Sequence, residues 1–359
     1  MSVYNISATI TGLKYSPLLC RELNKYEISN LKEALQKDAS FILRVNNENI
    51  YVSWWVSPKR TRSYPYGRVY DTLQFQGKKI TIIPIIKDEG LDGDRDFLQW
   101  DTISLMSLLG VNTIIAYYSD AERNTKYSNK ITNQRFNIDY IIKEINNLLI
   151  YKSDALHWNL SHLDKIGDIA NKALNYYTDL SRTMNVKMHS KDSAEKRIKE
   201  LFKGKDHFMD FSRNLAQQAQ TRESLTVQPK EYLTTGAKAK LSIKNYLGGY
   251  YYMTSDEAII DNDIIYLVEG KHSKQGLLPS LEDIKDGLMK MILFTNLKEV
   301  KIGNKEYKHV SVLKLTNHMG FSKNLLRDSQ LKQLYLLKEE ADKNCFEVWI
   351  NDKNIKQLI

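Results

Sequence analysis

One stretch near the C-terminal end decides the fold, and it reads DEAIIDNDIIYLVEGK from Asp256 to Lys271. Two β-branched runs flank the turn-type residues Asp261-Asn262-Asp263, a pattern typical of a β-hairpin. Side chains two apart on a strand share a face, so Glu269 and Lys271 project together. Burying an unpaired charge is costly, so charged groups in this largely apolar strand pair need partners or a bound cation. The stretch therefore predicts a hairpin that carries a charged site.

The acids at the start of the stretch supply the other half of that site. Across the hairpin, Asp256 or Glu257 would lie close to Glu269. Two carboxylates can hold a hard divalent cation, most simply Mg²⁺, through oxygen ligands. The ammonium group of Lys271 could position or deprotonate a water molecule, or neutralise charge that develops on a phosphate. The alternative is a structural hairpin in which Glu269 and Lys271 form a surface ion pair, which would contribute little to stability.

These residues resemble the PD-(D/E)xK nuclease superfamily, to which most type II restriction endonucleases belong. The resemblance implies that Asp256 and Glu269 are metal-binding acids, that Lys271 is the catalytic lysine and that the Gly270 carbonyl also coordinates the metal. Ser255 departs from the pattern, because proline is frequent at that position. The first acid therefore stays open among Asp256 and three nearby residues, Glu257, Asp261 and Asp263.

The sequence around the hairpin fits the core of that superfamily. Residues 246–253 predict an upstream aromatic strand, and Ser280 can cap a helix with apolar residues at helical spacing. Residues 298–302 and 310–315 predict further strands. The order strand, strand, strand, helix, strand implies a restriction-endonuclease-like mixed sheet flanked by helices. We therefore expect an α/β (α+β) protein with this fold in its C-terminal domain.

The N-terminal part has a similar predicted order of elements. Residues 49–56, 69–75 and 79–86 predict strands, residues 100–109 a helix, and residues 113–118 another strand. Asp71 and Lys87 lie where an acid and a lysine would fall in a nuclease-like core, but Ile85 replaces the expected glutamate. One interpretation is a related domain that lacks an intact site.

The chain is long enough for more than one domain, since it has 359 residues. Residues 136–221 are largely helical in pattern, and residues 222–236 resemble a linker. We therefore predict three regions: an N-terminal α/β domain over 1–135 for DNA recognition, a helical connecting region over 136–235, and a catalytic domain over 236–359.

Basic and aromatic residues alternate in a loop that Pro58 and Gly67 punctuate. Arginine contacts phosphates or guanine edges, and tyrosine packs on sugars or bases, so this loop is the best candidate for touching DNA. A surface loop without a ligand is the alternative. A second basic stretch precedes the hairpin. The predicted DNA-binding residues are Lys59, Arg60, Arg62, Tyr64, Tyr66, Arg68, Lys238 and Lys240.

Composition sets the class of partner and the compartment. The formal net charge of +9 suits a polyanionic partner. Two distant cysteines, Cys20 and Cys345, argue for a reducing compartment and against a disulfide scaffold or a zinc site. The start of the sequence lacks an export signal, and no apolar run reaches membrane-spanning length. We expect a cytoplasmic protein without a membrane partner.

The function expected from these features is Mg²⁺-dependent hydrolysis of double-stranded DNA, with a type II restriction endonuclease as the first choice. The resemblance also implies a homodimer, because two-fold symmetry matches the symmetry of a duplex. The alternatives are a repair or antiphage nuclease of the same fold, a non-catalytic DNA-binding protein, and a structural or interaction protein.

Overall fold

The computed structural model describes residues 3–202, 236–247, 249–318 and 320–359. Its strands fall in two groups along the chain, before and after residues 203–235. They are β1 (Val3–Ile10), β2 (Lys25–Glu27), β3 (Ser40–Val45), β4 (Glu48–Trp54), β5 (Lys79–Pro84), β6 (Ile86–Asp88), β7 (Arg95–Phe97), β8 (Asn112–Ala116), β9 (Tyr118–Arg123), β10 (Ile131–Phe136), β11 (Ala237–Asn245), β12 (Tyr250–Asp261), β13 (Ile264–Ser273), β14 (Lys298–Ile302), β15 (Lys305–Glu306), β16 (Lys308–Asn317), β17 (Glu347–Ile350) and β18 (Lys353–Asn354).

The described ranges contain nine α-helices, four of which follow one another between residues 138 and 202. They are α1 (Leu31–Lys37), α2 (Pro65–Tyr70), α3 (Trp100–Leu108), α4 (Ile138–Ile150), α5 (Ala155–Leu163), α6 (Ile166–Met184), α7 (Lys191–Phe202), α8 (Leu281–Phe294) and α9 (Asp328–Asn344), with short 3₁₀ turns at Ile28–Asn30, Lys323–Leu325 and Ile355–Gln357. None of these described helices combines the length and the apolar character needed to cross a membrane.

The chain forms two compact units whose limits differ from the predicted boundaries of 1–135, 136–235 and 236–359. The first unit contains the described residues 3–21 and 236–359, and the second contains 22–202. The difference arises because β1 pairs in parallel with β11, more than two hundred residues later. Helices α4 and α5 of the predicted connecting region pack into the core of the second unit. The predicted linker over 222–236 lies outside the described residues, except for Gly236.

The first unit is built on a nine-stranded mixed sheet, in the order β15-β14-β1-β11-β12-β13-β16-β17-β18. Strands β11, β12 and β13 form an antiparallel meander, and β16 and β17 continue beside β13 in parallel. Helices α8 and α9 are the crossovers between these parallel strands, as parallel pairing requires. The predicted class, a mixed α/β protein with a large sheet flanked by helices, is confirmed at this level.

The hairpin and the helix after it form as the sequence predicts. Strands β12 and β13 pair from Asp261↔Ile264 inward to Glu257↔Val268. Helix α8 begins after Ser280, whose Oγ accepts the backbone N–H of Asp283 at 3.1 Å. The predicted strand over 298–302 forms as β14, but it pairs with β1, so β16 is the strand next to β13.

The second unit contains a five-stranded sheet in the order β2-β3-β4-β5-β8. The strand predicted over 69–75 is wrong, because residues 65–70 form α2. Pro65 occupies the first turn of this helix, where its fixed φ suits helix initiation, and Val69 and Tyr70 are buried. β-branched and aromatic residues therefore serve here as the apolar face of a helix.

Candidate active site

The candidate site lies where β12 and β13 of the nine-stranded sheet stop pairing, next to a bulge in β12. We call this position the fork. Ser255 pairs with Ala239 and Ala258 pairs with Ala237, so two residues, Asp256 and Glu257, face Lys238 alone. This is a β-bulge, which redirects side chains. Asp256 lies just past the last β12–β13 pair, and its Oδ2 accepts the backbone N–H of Gly270 at 2.9 Å.

The backbone of Gly270 is oriented by this contact. The N–H and C=O groups of one strand residue point to the same neighbouring strand. Because the N–H of Gly270 is directed at Asp256, the Gly270 carbonyl points to the same side of β13. The carboxylate of Asp256 and the carbonyl of Gly270 are therefore two oxygen donors on one side of the fork.

Glu269 and Lys271 lie on one face of β13, as their spacing predicts. They pair in register with Leu313 and Leu315 of β16, which share that face. Glu269 is only 2% exposed, and its Oε1 lies 3.1 Å from the Nζ of Lys271. The ion pair is therefore buried, whereas the alternative considered from the sequence was an ion pair at the surface.

Helix α8 adds two charged residues to this pair. The Nζ of Lys290 lies 2.7 Å from Oε2 of Glu269 and donates to the carbonyl of Thr254 at 3.0 Å. Asp286 of the same helix accepts a hydrogen bond from Lys271. With Asp256, the cluster holds three carboxylates and two ammonium groups, a net charge of −1.

The electrostatic environment keeps Lys271 protonated. Burial alone would lower the pKa of Lys271, but the carboxylates of Glu269, Asp286 and Asp256 together raise it above its ordinary value. A lysine with a raised pKa carries its positive charge throughout the neutral range. Lys271 is therefore suited to hold or stabilise negative charge and unsuited to remove a proton from water.

The four candidates for the first metal-binding acid occupy different places in the structure. Glu257 pairs with Val268, on the face opposite Glu269, where it contacts the N–H of Gly236 and lies 3.7 Å from the Nζ of Lys314. Asp261 is exposed at the hairpin end, and Asp263 pairs with Lys305 at 2.9 Å. Among the four, Asp256 is the residue that contacts the backbone between Glu269 and Lys271.

The donors at the fork fit Mg²⁺ in number and type. Within the described ranges, no three His, Cys, Asp or Glu side chains are arranged to hold a metal ion. Mg²⁺ does not require three, because it commonly binds one or two carboxylates and keeps several waters or substrate phosphate oxygens. Asp256, Glu269 and the Gly270 carbonyl are the residues that could supply such ligands, and the negative net charge of the cluster favours a cation. Both oxygens of Glu269 contact lysines in this structure, so a metal would have to share or replace one of those contacts.

The predicted DNA-contacting loop has more internal partners than its composition suggests. Arg62 pairs with Asp94, with Asp96 at 2.8 Å and with Glu89 at 3.7 Å. Glu89 and Asp94 belong to the acidic loop that follows β6, and Asp96 lies in β7. The guanidinium of this arginine is thus engaged within the second unit.

Two further loop residues are also held within the unit. Arg68 donates to the carbonyl of Trp54 at 2.9 Å and stacks 4.5 Å from the centre of its ring. Tyr66 is 6% exposed and packs edge-on against Trp55. Lys59 and Tyr64 are exposed, and Arg60 is half-buried. Of the six predicted loop residues, Lys59 and Tyr64 therefore have the most accessible side chains.

The second predicted basic stretch is part of a strand of the nine-stranded sheet. Lys238 and Lys240 belong to β11, which pairs with both β1 and β12. Lys238 is buried opposite the Asp256–Glu257 bulge, and Lys240 is half-buried. These lysines therefore contribute positive charge to the sheet that carries the candidate site.

A cleft of about 1130 Å³ lies in the second unit, and none of the predicted DNA-binding residues lines it. Its walls include the aromatic residues Trp54, Tyr118 and Phe136. Its charged residues are largely paired with one another: Glu89 contacts Lys87 at 2.8 Å and Lys130 at 3.1 Å. Lys87, considered above as part of an incomplete second site, thus serves in an ion-pair cluster.

Two members of the charged cluster, Asp286 and Lys290, were not predicted from the sequence. They are four residues apart on a helix whose other residues include the apolar Ile284, Leu288 and Met291. Charged residues on a helix that is otherwise apolar need buried partners. These charges on an apolar helix could therefore have indicated a buried charged cluster. The identity of their partners depends on how α8 packs on β13.

No protein-family model matches this chain, and comparisons with curated proteins and with solved structures found no significant match. The proposed function therefore rests on the geometry of the site.

Proposed function

We propose that this protein is a Mg²⁺-dependent endonuclease of the PD-(D/E)xK type that hydrolyses phosphodiester bonds in double-stranded DNA, with restriction as the expected role. One observation carries the proposal: the carboxylate of Asp256 contacts the backbone of Gly270, directly between Glu269 and Lys271. An acid on one strand and a Glu-x-Lys on the next are what the superfamily resemblance requires. The meander followed by a helix and a parallel strand supports the corresponding fold.

Three groups would hold the metal: the carboxylates of Asp256 and Glu269 and the carbonyl of Gly270. Bound there, Mg²⁺ would lower the pKa of a coordinated water and screen the charge of the phosphate. Lys271, protonated because of its acidic neighbours, would stabilise the negative charge that develops on the phosphate. Asp286 and Lys290 act through these residues, since Asp286 orients Lys271 and Lys290 orients Glu269.

A non-catalytic DNA-binding protein is the second candidate, and one observation favours it. Both carboxylate oxygens of Glu269 already contact lysines, Oε1 with Lys271 and Oε2 with Lys290. A carboxylate satisfied in this way can serve as a purely structural ion pair. Such a protein would bind DNA with a steep salt dependence and would not cut it.

The test is cleavage of supercoiled plasmid DNA with and without Mg²⁺. We compare the parent protein with Glu269→Gln and Lys271→Ala, and we use Lys274→Ala as the matched control, because Lys274 is an exposed lysine three residues along the chain. Discrete fragments from the parent and the control alone, with duplex binding retained in all four, support the proposal. Equal cutting by Lys271→Ala would refute the mechanism, and duplex binding without cutting by the parent would favour the second candidate.

A further inference from the structure

A second constellation lies one residue beyond Lys271. His272, near the end of β13, and His318, just after β16, face each other with their Nε2 atoms 3.0 Å apart. Their rings are inclined at 73°. Two imidazole nitrogens at this separation cannot both carry a hydrogen directed at the other, so at least one presents a lone pair.

Hydrogen bonds behind His272 anchor its ring. The Nδ1 atom of His272 lies 2.9 Å from the hydroxyl oxygen of Thr316, and that oxygen lies 3.4 Å from the carbonyl oxygen of Lys271. In the tautomer in which Nδ1 donates to Thr316, the hydroxyl donates to the Lys271 carbonyl and Nε2 of His272 presents its lone pair on the side of His318. A ring nitrogen anchored by a hydrogen bond while the other faces outward is the arrangement that metal-binding histidines adopt.

We propose that His272 and His318 form a two-histidine site for a divalent late transition-metal ion such as Zn²⁺ or Ni²⁺. Such ions bind imidazole nitrogen at about 2.0–2.1 Å, so two ligands at a right angle stand about 3.0 Å apart and at a tetrahedral angle about 3.4 Å apart. The observed spacing fits the first case directly. A shift of about 0.4 Å gives the second, and His318 is exposed and lies outside the strand, so it is able to make that shift.

The site has open coordination positions. Among the residues that the structure describes, no third His, Cys, Asp or Glu joins the pair. Water or an oxygen of a bound anion would complete the coordination. Because Thr316 connects His272 to the backbone of Lys271, a bound ion would fix the ends of β13 and β16 beside the proposed active site. This site differs from the Mg²⁺ site in ligand chemistry, nitrogen rather than oxygen.

The experiment is isothermal titration of the metal-free full chain with Zn²⁺ and, separately, Ni²⁺. We compare the parent with His318→Ala and His272→Asn, and with His157→Ala as a control for adventitious binding, because His157 is also an exposed histidine. We expect one ion per chain, an affinity at least ten-fold weaker in both site variants, and no change in the control. Excess Mg²⁺ should not displace the ion.

Binding by His318→Ala that equals that of the parent would overturn the proposal. The same variant should unfold at an unchanged temperature in EDTA, since His318 and its contact with His272 are both exposed. The heat-stabilising effect of Zn²⁺ on the parent should disappear in the variant. Neither readout involves DNA, so the outcome is independent of the nuclease assignment.

Discussion

Gly287 of α8 lies directly over the side chain of Lys271. A Cβ atom at Gly287 would come within 3.2 Å of Cε of Lys271 and 2.6 Å of Cδ1 of Leu313. The missing side chain lets the helix approach β13 closely enough for Asp286 and Lys290 to reach the Glu269–Lys271 pair. Glycine in a helix interior costs about 1 kcal/mol relative to alanine, so this position sacrifices helix propensity for close packing.

The substitution Gly287→Ala tests this close approach of α8 to β13, because the two physical effects involved change the free energy of unfolding in opposite directions. Helix propensity alone predicts a gain of about 1 kcal/mol, whereas overpacking against Lys271 and Leu313 predicts a net loss of about 1–2 kcal/mol. Urea unfolding measures the difference. Gly12→Ala is the control, because a Cβ there meets nothing within 4 Å. A Gly287→Ala protein more stable than its parent would contradict the proposed close approach.

Lys290→Met should destabilise the fold by about 2–3 kcal/mol, because it removes one of the two cations from the buried carboxylate of Glu269. Lys37→Met in α1 is the comparison, since Lys37 and its partner Glu33 are 64% and 48% exposed and that ion pair is weaker. The free energies of unfolding of the two variants are compared with that of the parent. A loss from Lys290→Met no larger than that from Lys37→Met would argue against a central role for the Glu269–Lys290 pair.

Much of the site was predictable because it is local in sequence. The hairpin follows from β-branched runs around Asp261-Asn262-Asp263, and the shared face of Glu269 and Lys271 follows from strand periodicity. The start of α8 follows from the Ser280 cap. What could not be predicted is long-range: the parallel pairing of β1 with β11 and the packing of α8 have no local sequence signal.

The first acid shows the limit most clearly. Asp256 and Glu257 are neighbours with the same charge, and strand alternation alone would point one of them toward Glu269. In the β12–β13 register Glu257 pairs with Val268, so it faces Lys314 on the side of the sheet away from Glu269, while Asp256 lies at the β11–β12 bulge and contacts Gly270. The exact register of the hairpin and the bulge both depend on how the strands pair, which the local sequence does not encode. Three-dimensional pairing was therefore needed to favour Asp256.

Lys271→Arg should retain more cleavage activity than Lys271→Gln. The pKa of Lys271 is raised by its acidic neighbours despite burial, so the lysine would act as a fixed positive charge that arginine can supply. Removing such a charge typically slows a reaction by about 100-fold or more. Single-turnover rates compare the two variants once thermal melts show that both fold. Equal loss in two folded variants would indicate a role other than charge.

Stability should fall in mild acid because of His162 in the second unit. Burial lowers the pKa of His162 to about 4, and the neighbouring Lys165 adds to the effect, although Glu144 lies 3.6 Å away. The unfolded chain keeps the ordinary value of about 6.5 and therefore binds more protons between the two values. Stability that is present above about pH 6.5 is lost as the pH falls toward 4.

The measurement is the unfolding free energy at about pH 7.5 and pH 5 for the parent and for His162→Asn. The histidine contributes a loss of about 2 kcal/mol over this interval. We expect the variant to lose less stability than the parent by that amount, whatever its stability at neutral pH. Identical losses would show that His162 is not protonated on unfolding in this window.

The most direct test of the proposed active site is the single-turnover rate of DNA cleavage at saturating Mg²⁺ for the parent, Asp256→Asn and Asp263→Asn. Asparagine at position 256 can still accept the N–H of Gly270, so the fold is kept while the charge is removed. We predict a rate at least about 100-fold lower for Asp256→Asn and an unchanged rate for Asp263→Asn, whose carboxylate pairs with Lys305 at the hairpin end. Undiminished cleavage by Asp256→Asn would contradict the assignment of the site.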